Sequence, residues 1–445
     1  MTNDRLYEPR AYGPEPIRDC YWADGQPLEI DPSAEGNLFC DVAIVGGGYA
    51  GLNAALTLAK AGLDVAVFEA NYVGFGASGR NGGFCCLGGD KLSQSELLDR
   101  YGRQETATYR AAQCAAIDHV ASLLATYDID ADRHSHGETM LAHRAGDLSS
   151  LRQVADESAE IYGEPAELVE AKDLRAHGLS GPEFFGAVTV PFGFALNPMK
   201  YVQGLRRAVL AAGARIFGHS DVTDIRQASD TWQLATSTAN ISAQHLIVTT
   251  NGYSRENNPD WMRGRYLPTQ SSILVTRPLQ SAELQNQGFW SRQMCYDSRN
   301  LLHYFRLLPD NRFLFGMRAA IRATSAAFEQ TRRAQIQDFH RMFPAWAGVD
   351  IPYFWSGLLC VSRARVPFAG AMAGLRNAWG AFAFHGNGVA MASYAGHAVA
   401  SEILQQEVAS PLPKFMSETP RKFELGRYRR ALLPLAYLRY KWADR

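Results

Sequence analysis

Apolar and polar residues alternate along this chain with two different periods, and the pattern predicts a mixed α/β protein. Residues 42–45 and 64–68 are short apolar runs rich in valine and alanine, as in strands buried on both faces of a parallel sheet. Residues 50–61 between them are predicted to form a helix, which Gly62 ends. The order strand, helix, strand predicts a βαβ unit.

Helical patterns recur further along the chain. An apolar stripe at helical spacing runs through Ala112, Ala116, Val120 and Leu124. Asn197 followed by proline is typical of a helix start, and Gly213 is typical of the position just after a helix end. The predicted helices cover residues 95–127, 147–162, 198–212 and 389–405.

Short alternating or apolar runs predict the remaining strands. They cover residues 214–217, 222–225, 231–235, 245–250, 272–276, 301–308, 313–317 and 378–384. The run at 245–250 ends in Asn251 and Gly252, as expected of a buried parallel strand that returns to the first sheet. The pattern therefore predicts an α/β fold, with a Rossmann-like domain assembled from discontinuous segments and a second domain on a largely antiparallel sheet.

These elements imply a division of the chain into segments. We expect a lead-in at residues 1–37, dinucleotide-binding segments at 38–90, 197–255 and 355–410, substrate-domain segments at 91–196 and 256–354, and a basic tail at 411–445. The tail from residue 427 mixes Arg and Lys with Leu, Tyr and Trp. It could lie on a membrane as an amphipathic helix, but Pro434 interrupts it and a helix packed on the body is favoured.

Residues 46–51 carry the glycine spacing of a dinucleotide-binding turn. Gly46 makes the tight turn, Gly48 lets the backbone approach a pyrophosphate, and Gly51 lets the helix pack closely on the strand. The helix N-terminus then faces the phosphates with free N–H groups. Glu69 ends the second strand, where a carboxylate accepts hydrogen bonds from a ribose. An ordinary glycine-rich turn would leave Glu69 and the glycine register unexplained.

Composition narrows the class of protein. The chain has 445 residues, of which 47% are hydrophobic and 20% charged, as in a globular protein with a large core and two or three domains. A net charge of −1 gives no overall attraction to nucleic acid. No apolar run approaches the length of a membrane span or a signal segment, so we expect a cytoplasmic protein. The seven cysteines lack metal-site spacing, and no metal is predicted.

Several motifs together resemble the glycine/D-amino-acid oxidase superfamily, most closely its γ-glutamylputrescine oxidoreductase branch. They are the turn at 46–51, the glycine-rich loop at 76–83, Asn197-Pro198 at a helix start, and the segments at 249–253, 299–306 and 386–389. The resemblance covers nearly the whole chain from residue 21. It implies FAD as cofactor, a two-domain fold and oxidation of an amine C–N bond.

The implied reaction is hydride transfer from the α-carbon of an amine to flavin N5, giving an imine and then an aldehyde. The amine would be a γ-glutamyl-polyamine, a secondary amine or an amino acid, and oxygen would reoxidise the flavin to give peroxide. Sarcosine oxidases carry a lysine beneath the flavin that the matching strand, 313–315, lacks, so the acceptor stays open. Some relatives bind flavin through a cysteine, and Cys360 lies one position from that place.

Two alternatives to this reaction remain. One is an amino-acid dehydrogenase that passes electrons to a quinone, and the other is a flavin-binding sensor without turnover. The sequence names neither a catalytic residue nor an oligomeric state.

The predicted cofactor-binding residues follow from the motifs and the resemblance. They are Gly46, Gly48, Tyr49, Ala50, Gly51, Glu69, Ala70, Ser78, Gly79, Arg80, Asn81, Gly82, Gly83, Val222, Thr250, Asn251, Gly252, Gly386, Asn387, Gly388 and Val389. The loop at 78–83 supplies backbone N–H donors without Cβ interference. Arg80 could instead be a surface charge. The resemblance implies that Val222, at the start of its strand, binds the adenine through its backbone.

Four residues are candidates for the substrate side, each with an alternative. Tyr304 and its neighbour His303 point to opposite faces of a strand, and we expect Tyr304 to face the ligand rather than the core. Arg318 could bind a substrate carboxylate or be a solvated strand end. Trp355 could wall the pocket or lie in the core. His385 could add positive charge near the flavin or be a hydrogen-bonded structural histidine.

Overall fold

The computed structural model describes residues 4–24 and 28–444. Residues 1–3 and 25–27 of the expected lead-in, and residue 445 of the expected tail, lie outside the described residues. The described residues form eight α-helices: α1 Tyr49–Lys60, α2 Gln94–Thr126, α3 Leu148–Tyr162, α4 Pro198–Ala211, α5 Ser281–Gln287, α6 Ser325–Met342, α7 Gly388–Ile403 and α8 Leu432–Ala443.

The described strands are β1 Gly36–Val45, β2 Val65–Phe68, β3 Phe84–Cys85, β4 Glu138–Leu141, β5 Glu167–Glu170, β6 Gly186–Val190, β7 Phe194–Ala195, β8 Arg215–Phe217, β9 Asp224–Ala228, β10 Thr231–Ala235, β11 Ala239–Val248, β12 Leu267–Val275, β13 Met294–Asp297, β14 Tyr304–Leu307, β15 Phe313–Arg318, β16 Tyr353–Val361, β17 Phe368–Ala371 and β18 Ala378–Phe382. They form two large sheets and a small antiparallel sheet of β3 with β7.

The first sheet is the dinucleotide-type sheet that the βαβ pattern predicts. Its order is β17-β18-β11-β1-β2-β8, and the contacts of β1 with β11 and β2 are parallel. Val42 and Ile44 point to one core cluster while Ala43 and Val45 point to another, because helices cover one face and the β9–β10 meander covers part of the other. Burial on both faces explains why this strand is apolar throughout.

The second sheet has the order β16-β12-β15-β14-β13-β4-β6-β5. Its pairs are antiparallel except for β13 with β4, which confirms the expected largely antiparallel sheet. One face packs on α5 and α6 through an aromatic cluster around Phe313, Phe339 and Trp346. The other face turns toward the first sheet.

Several elements have bounds that differ from those predicted from the sequence, because pairing with distant strands sets where they begin and end. β1 begins at Gly36 rather than at residue 42, because Gly36 already pairs with Ala239 of β11. β9 begins at Asp224, so Val222 precedes its strand rather than opening it. The expected domain boundary at residue 355 falls inside β16, which pairs with β12 from Tyr353 to Val361.

The tail packs on the body at both of its ends. Buried Arg429 donates to the Glu256 carboxylate and to the Tyr266 carbonyl, while the Asp444 carboxylate accepts the backbone N–H groups of Asn300 and Leu301. The outward face of α8 leaves exposed the side chains of Leu435, Leu438 and Trp442. Within the described chain, no helix has both the length and the apolar character to cross a membrane.

Candidate active site

A cavity of about 830 Å³ opens between the two sheets, within the range of ligand pockets. Sequence-predicted residues from distant segments line it: Gly46, Gly48, Tyr49, Ala50, Glu69, Ala70, Ser78, Arg80, Asn81, Gly82, Val222, Thr250, Asn251, Tyr304, Arg318, His385, Gly386, Asn387, Gly388 and Val389. The fold therefore brings the dinucleotide motifs and the second sheet to one place.

The N-terminus of α1 faces this cavity, and its N-cap residue, Gly48, has no side chain to cap it. The Tyr49 N–H donates to the Ser78 hydroxyl at 3.0 Å. A Cβ on Gly48 would lie 2.7 Å from the same oxygen, so a side chain there would displace the Ser78 hydroxyl from the Tyr49 N–H. The helix dipole and the small residues together leave room for an anionic group against the backbone.

Glu69 and Val222 lie at the adenosine end expected of such a site. The Glu69 carboxylate accepts the N–H groups of Gly47 at 2.8 Å and Asn71 at 3.0 Å, and burial raises its pKa. The Val222 carbonyl accepts a hydrogen bond from the Asn258 side chain. Both residues thus have a defined position beside the cavity, from which a ribose and an adenine can be bound.

The loop at 78–83 closes against the second sheet. The Asn81 side chain donates to the carbonyls of Ala77 and Ser78 and accepts from the Gly83 N–H at 2.7 Å, which fixes the loop. A Cβ on Gly82 would come within 2.9 Å of the Tyr304 ring. The backbone of this loop therefore lies close to the part of the cavity that is next to the Tyr304 ring.

Arg80 is neither a surface charge nor an unpaired cation. Its guanidinium donates to the backbone carbonyls of Phe75, Gly76 and Ser356, and it lies over the rings of Phe75 and Tyr253. The Arg80 side chain holds the loop against β16, because its guanidinium N–H groups donate to three backbone carbonyls.

The N-terminus of α7 is the second helix end at the cavity. Among the described residues no side chain caps it, and the Asn387 side chain instead donates to the Leu87 carbonyl. Gly386 has φ +109°, a conformation that favours glycine. The N-termini of α1 and α7 thus converge on one cavity, and both favour negative charge on a ligand.

His385 proves to be a structural, neutral histidine. One ring nitrogen contacts the Gly89 carbonyl at 2.8 Å, and the other accepts the Ser362 N–H at 3.1 Å. Full burial lowers the pKa of His385 to about 3. It therefore adds no positive charge near the α7 turn, and its role is to hold the segments of Gly89 and Ser362 together.

Five predicted site residues do not line the cavity: Gly51, Gly79, Gly83, Gly252 and Trp355. The glycines act by close packing, as at Gly51, where a Cβ would lie 2.0 Å from the Gly46 carbonyl oxygen. Trp355 is fully buried and donates its indole N–H to the Arg80 carbonyl at 2.8 Å. Of the two alternatives for Trp355, pocket wall and core, this hydrogen bond and the packing on Trp22 favour the core.

Cys360 also points away from the cavity. It is fully buried in the core cluster on the other side of the first sheet, and burial raises its pKa to about 12. Its neighbours Leu358 and Leu359 line the cavity instead. The side chain is therefore poorly placed for a covalent bond to a group in the cavity.

The substrate-side candidates Tyr304 and Arg318 do face the cavity. The Tyr304 hydroxyl lies 3.0 Å from Ser271 Oγ, which itself donates to the Met317 carbonyl, so Tyr304 donates to Ser271. His303 lies on the opposite side, paired with Asp297 and Asp338. The Arg318 Nη2 atom lies 3.8 Å from the Cβ position of Gly386, beside the α7 turn.

Sequence reasoning missed several charged residues that line the cavity: Arg5, Asp90, Lys91, Arg110, Glu138, Asp221 and Arg255. Desolvation and the nearby Arg318 lower the pKa of Lys91 to about 8, and desolvation raises the pKa of Glu138 to about 7. Lys91 lies two residues after Gly89, the end of the glycine-rich stretch, and this position could have identified it as a candidate site residue. Glu138 has no such signal, because a glutamate at the start of a short strand is equally typical of a solvated edge.

The residues present fit FAD. Gly48 and Gly51 leave no room for a Cβ beside the helix end that would receive a pyrophosphate, Glu69 stands at the ribose end, and the loop at 78–83 forms a cradle beneath Tyr304. The cavity is also lined by both sheets, as an extended ligand requires.

Comparisons with known proteins agree with this geometry. The model of the DAO family, FAD dependent oxidoreductase, matches residues 41–402. The chain is 29% identical to the γ-glutamylputrescine oxidoreductase of Escherichia coli (strain K12) over 366 residues, 82% of this chain and 83% of that one.

Solved structures show the same fold. Glycine oxidase from Geobacillus kaustophilus has a TM-score of 0.69 at 21% identity and covers 85% of this chain and 98% of its own. L-Proline dehydrogenase from P. horikoshii has a TM-score of 0.69 at 17% identity and covers 87% and 97%. The family match over most of the chain, the shared fold and the fit of the cavity lead to one conclusion: the chain belongs to the DAO family of FAD dependent oxidoreductases.

Proposed function

We propose that this protein oxidises the C–N bond of an amine that carries a γ-glutamyl group or a similar acyl tail, as the name of its Escherichia coli relative suggests. The observation that supports it best is the single cavity in which the dinucleotide cradle and the polar face of the second sheet meet. When bound, FAD supplies the hydride acceptor for this reaction. The product would be an imine, which water converts to an aldehyde.

The chain's own residues position the reactants. The N-termini of α1 and α7 both favour negative charge. The N-terminus of α1 would stabilise the FAD diphosphate, and that of α7 would stabilise the negative charge that develops on the flavin during oxidation of the amine. Arg318 beside Gly386 adds a cation next to the N-terminus of α7. Tyr304 packs over Gly82 and closes the cavity from the side of the sheet. No strong base is required if the amine is bound in its neutral form.

An anaerobic titration tests this function. The purified holoprotein is mixed with γ-glutamylputrescine, sarcosine, glycine, proline and simple monoamines, and the flavin absorbance is followed. We expect bleaching by the γ-glutamyl amine at the lowest concentration. Bleaching by none of these amines would contradict the proposal and favour a flavin-binding sensor.

A second candidate function rests on Arg318. If its guanidinium binds a carboxylate next to the oxidised carbon, the substrate is a simple amino acid. Simple amino acids would then bleach the flavin best, and Arg318→Met would raise their dissociation constants by about 100-fold. Admitting oxygen afterwards and measuring peroxide against quinone reduction distinguishes an oxidase from a dehydrogenase.

A further inference from the structure

Exposed apolar side chains are concentrated at the C-terminal end of the chain. Eleven large apolar side chains are exposed among the described residues, and six of these eleven belong to residues 425–442: Leu425, Tyr428, Leu435, Leu438, Tyr440 and Trp442. Leu435, Leu438 and Trp442 of α8 are 70%, 68% and 74% exposed. Single exposed apolar side chains are common, whereas a concentrated group of them indicates an interaction surface.

The outward face of α8 combines these apolar side chains with cations. At about 100° per residue, Leu435, Leu438 and Trp442 fall within about 60° of the helix circumference, with Arg439 on one side of them and Lys441 on the other. Both cations are exposed. An apolar stripe between basic side chains is typical of a helix that lies in the plane of a membrane surface.

The inner face of α8 packs on the body, so its outer face has a fixed direction. Leu433 is buried on the side of the helix opposite to the apolar stripe. Arg429 before the helix and Asp444 after it hold α8 to the body through their hydrogen bonds. Pro434 lies in the first turn, where its missing N–H costs no helical hydrogen bond, and it therefore does not interrupt α8.

The charge of this segment favours one kind of partner. Residues 425–443 contain five Arg and Lys residues and no Asp or Glu. Arg427 is exposed, and so is Arg144, which donates to the Ala443 carbonyl at the C-terminal end of α8. Two copies of this chain paired through this face would bring like charges together, which is unfavourable. An anionic lipid surface instead neutralises these cations and accepts a tryptophan at the level of its headgroups.

We propose that the outward face of α8 binds the surface of an anionic lipid bilayer. Leu435, Leu438 and Trp442 enter the headgroup region, while Arg439 and Lys441 extend to the lipid phosphates. This binding goes beyond the proposed reaction and does not depend on it, because none of these five side chains lines the cavity.

Sedimentation with vesicles tests the proposal. The purified holoprotein is mixed with vesicles of phosphatidylcholine alone, or of phosphatidylcholine and phosphatidylglycerol in equal parts, and the bound fraction is measured. We expect binding to the anionic vesicles that weakens as salt is added, and binding to the neutral vesicles that is weaker by about 10-fold or more. No binding to the anionic vesicles, or equal binding to both kinds, would overturn the proposal.

Two double variants separate the apolar from the charged contribution. Leu438→Ser with Trp442→Ser removes apolar side chains from the stripe, and Arg439→Gln with Lys441→Gln removes the cations beside it. Each double variant is expected to bind anionic vesicles about 10-fold more weakly, or weaker still. The charge variant should also lose most of the dependence on salt. Wild-type binding by both variants would show that another surface meets the lipid.

Matched controls make the same changes at other exposed positions. Ile30→Ser with Phe39→Ser removes two exposed apolar side chains, and Arg226→Gln with Arg376→Gln removes two exposed cations. Both controls are expected to bind anionic vesicles as the wild type does. Equal weakening by the controls and by the α8 variants would contradict a specific role of this face. Flavin content of each variant reports whether the holoprotein has folded.

A lipid quencher locates the contact with a conservative variant. Anionic vesicles with bromine on their acyl chains are expected to quench part of the tryptophan fluorescence of the wild type. Trp442→Phe should still sediment with these vesicles but lose that quenching. Quenching that persists in Trp442→Phe would place a different surface at the bilayer. A lipid-free dimer that Leu438→Ser with Trp442→Ser abolishes, in a protein that binds no vesicles, would assign this face to a second copy instead.

Discussion

At the scale of single residues, the environment decides what a side chain does, as two histidines show. Burial alone would lower the pKa of His303, but hydrogen bonds to the carboxylates of Asp297 and Asp338 outweigh it and raise the pKa above its usual value. Burial without a carboxylate lowers the pKa of His385 to about 3. One residue type therefore stabilises the fold in opposite pH ranges.

His303→Gln tests the first case. A raised folded-state pKa contributes stability that is fully present below about pH 6.5 and is lost as pH rises through that pKa. The variant should lose about 3 kcal/mol of unfolding free energy at pH 6, because Asp297 stays buried without its main partner. Denaturant titrations from pH 6 to pH 9 should show this difference shrinking as pH rises. A difference that grows with pH would refute the assignment.

His385→Gln tests the second case. The lowered pKa makes the unfolded chain bind more protons between about pH 6.5 and pH 3, so acid destabilises the wild type by up to about 1.4 kcal/mol per pH unit from this group. The variant should show a shallower loss of stability from pH 6 to pH 4. His136→Gln, at an exposed position, is the matched control and should keep the wild-type slope.

Gly51→Ala tests whether the third glycine of the turn acts by packing. The new Cβ would clash with the Gly46 carbonyl and with Thr249 Oγ1, which should cost about 2 kcal/mol and misplace the N-terminus of α1. The expected result is a lower ratio of flavin to protein absorbance after purification. Gly348→Ala, where nothing lies within 4 Å of the new Cβ, should match the wild type.

At the scale of elements, the helices line the cavity mainly with their N-terminal turns rather than with their faces. α1 and α7 contribute their N-terminal turns to the cavity, and both bury their remaining length in the core. The sequence predicted both turns because each has closely spaced glycines between a predicted strand and a predicted helix. It predicted neither β4 nor β13, since short strands with mixed faces have no distinctive period.

One buried cation, Arg429, supplies part of the contact between the tail and the body. Arg429→Met should lower the unfolding free energy by about 3 kcal/mol, because Glu256 and the Tyr266 carbonyl lose their shared donor. Chymotrypsin should then cleave the tail of the variant first, as read by mass spectrometry. Arg427→Met, at an exposed position, should resist cleavage like the wild type.

At the scale of the whole molecule, the cofactor site joins segments that are distant in sequence. Removing FAD should therefore lower the stability of the entire chain, by about 2.7 kcal/mol relative to protein with free FAD at 100 times its dissociation constant. Calorimetry before and after FAD is added back measures this change. Riboflavin, which lacks the diphosphate that α1 receives, should restore far less stability. Equal restoration by riboflavin would contradict the role of that helix end.

The sequence by itself determined the dinucleotide unit. Its strand, turn, helix and acidic residue are contiguous, and their spacing is imposed by local backbone geometry and by close contacts such as that of Gly51 with Gly46. It also determined the antiparallel character of the second sheet. The dinucleotide unit depends on neighbours in the chain.

Only the tertiary structure decided which side chains share the cavity. Whether Trp355 faces the core, whether His385 is neutral, and whether Lys91 and Glu138 line the cavity depend on strand register and on partners far away in sequence. A shift of one residue in a strand turns every side chain to the other face, and no local pattern encodes that choice for a short strand.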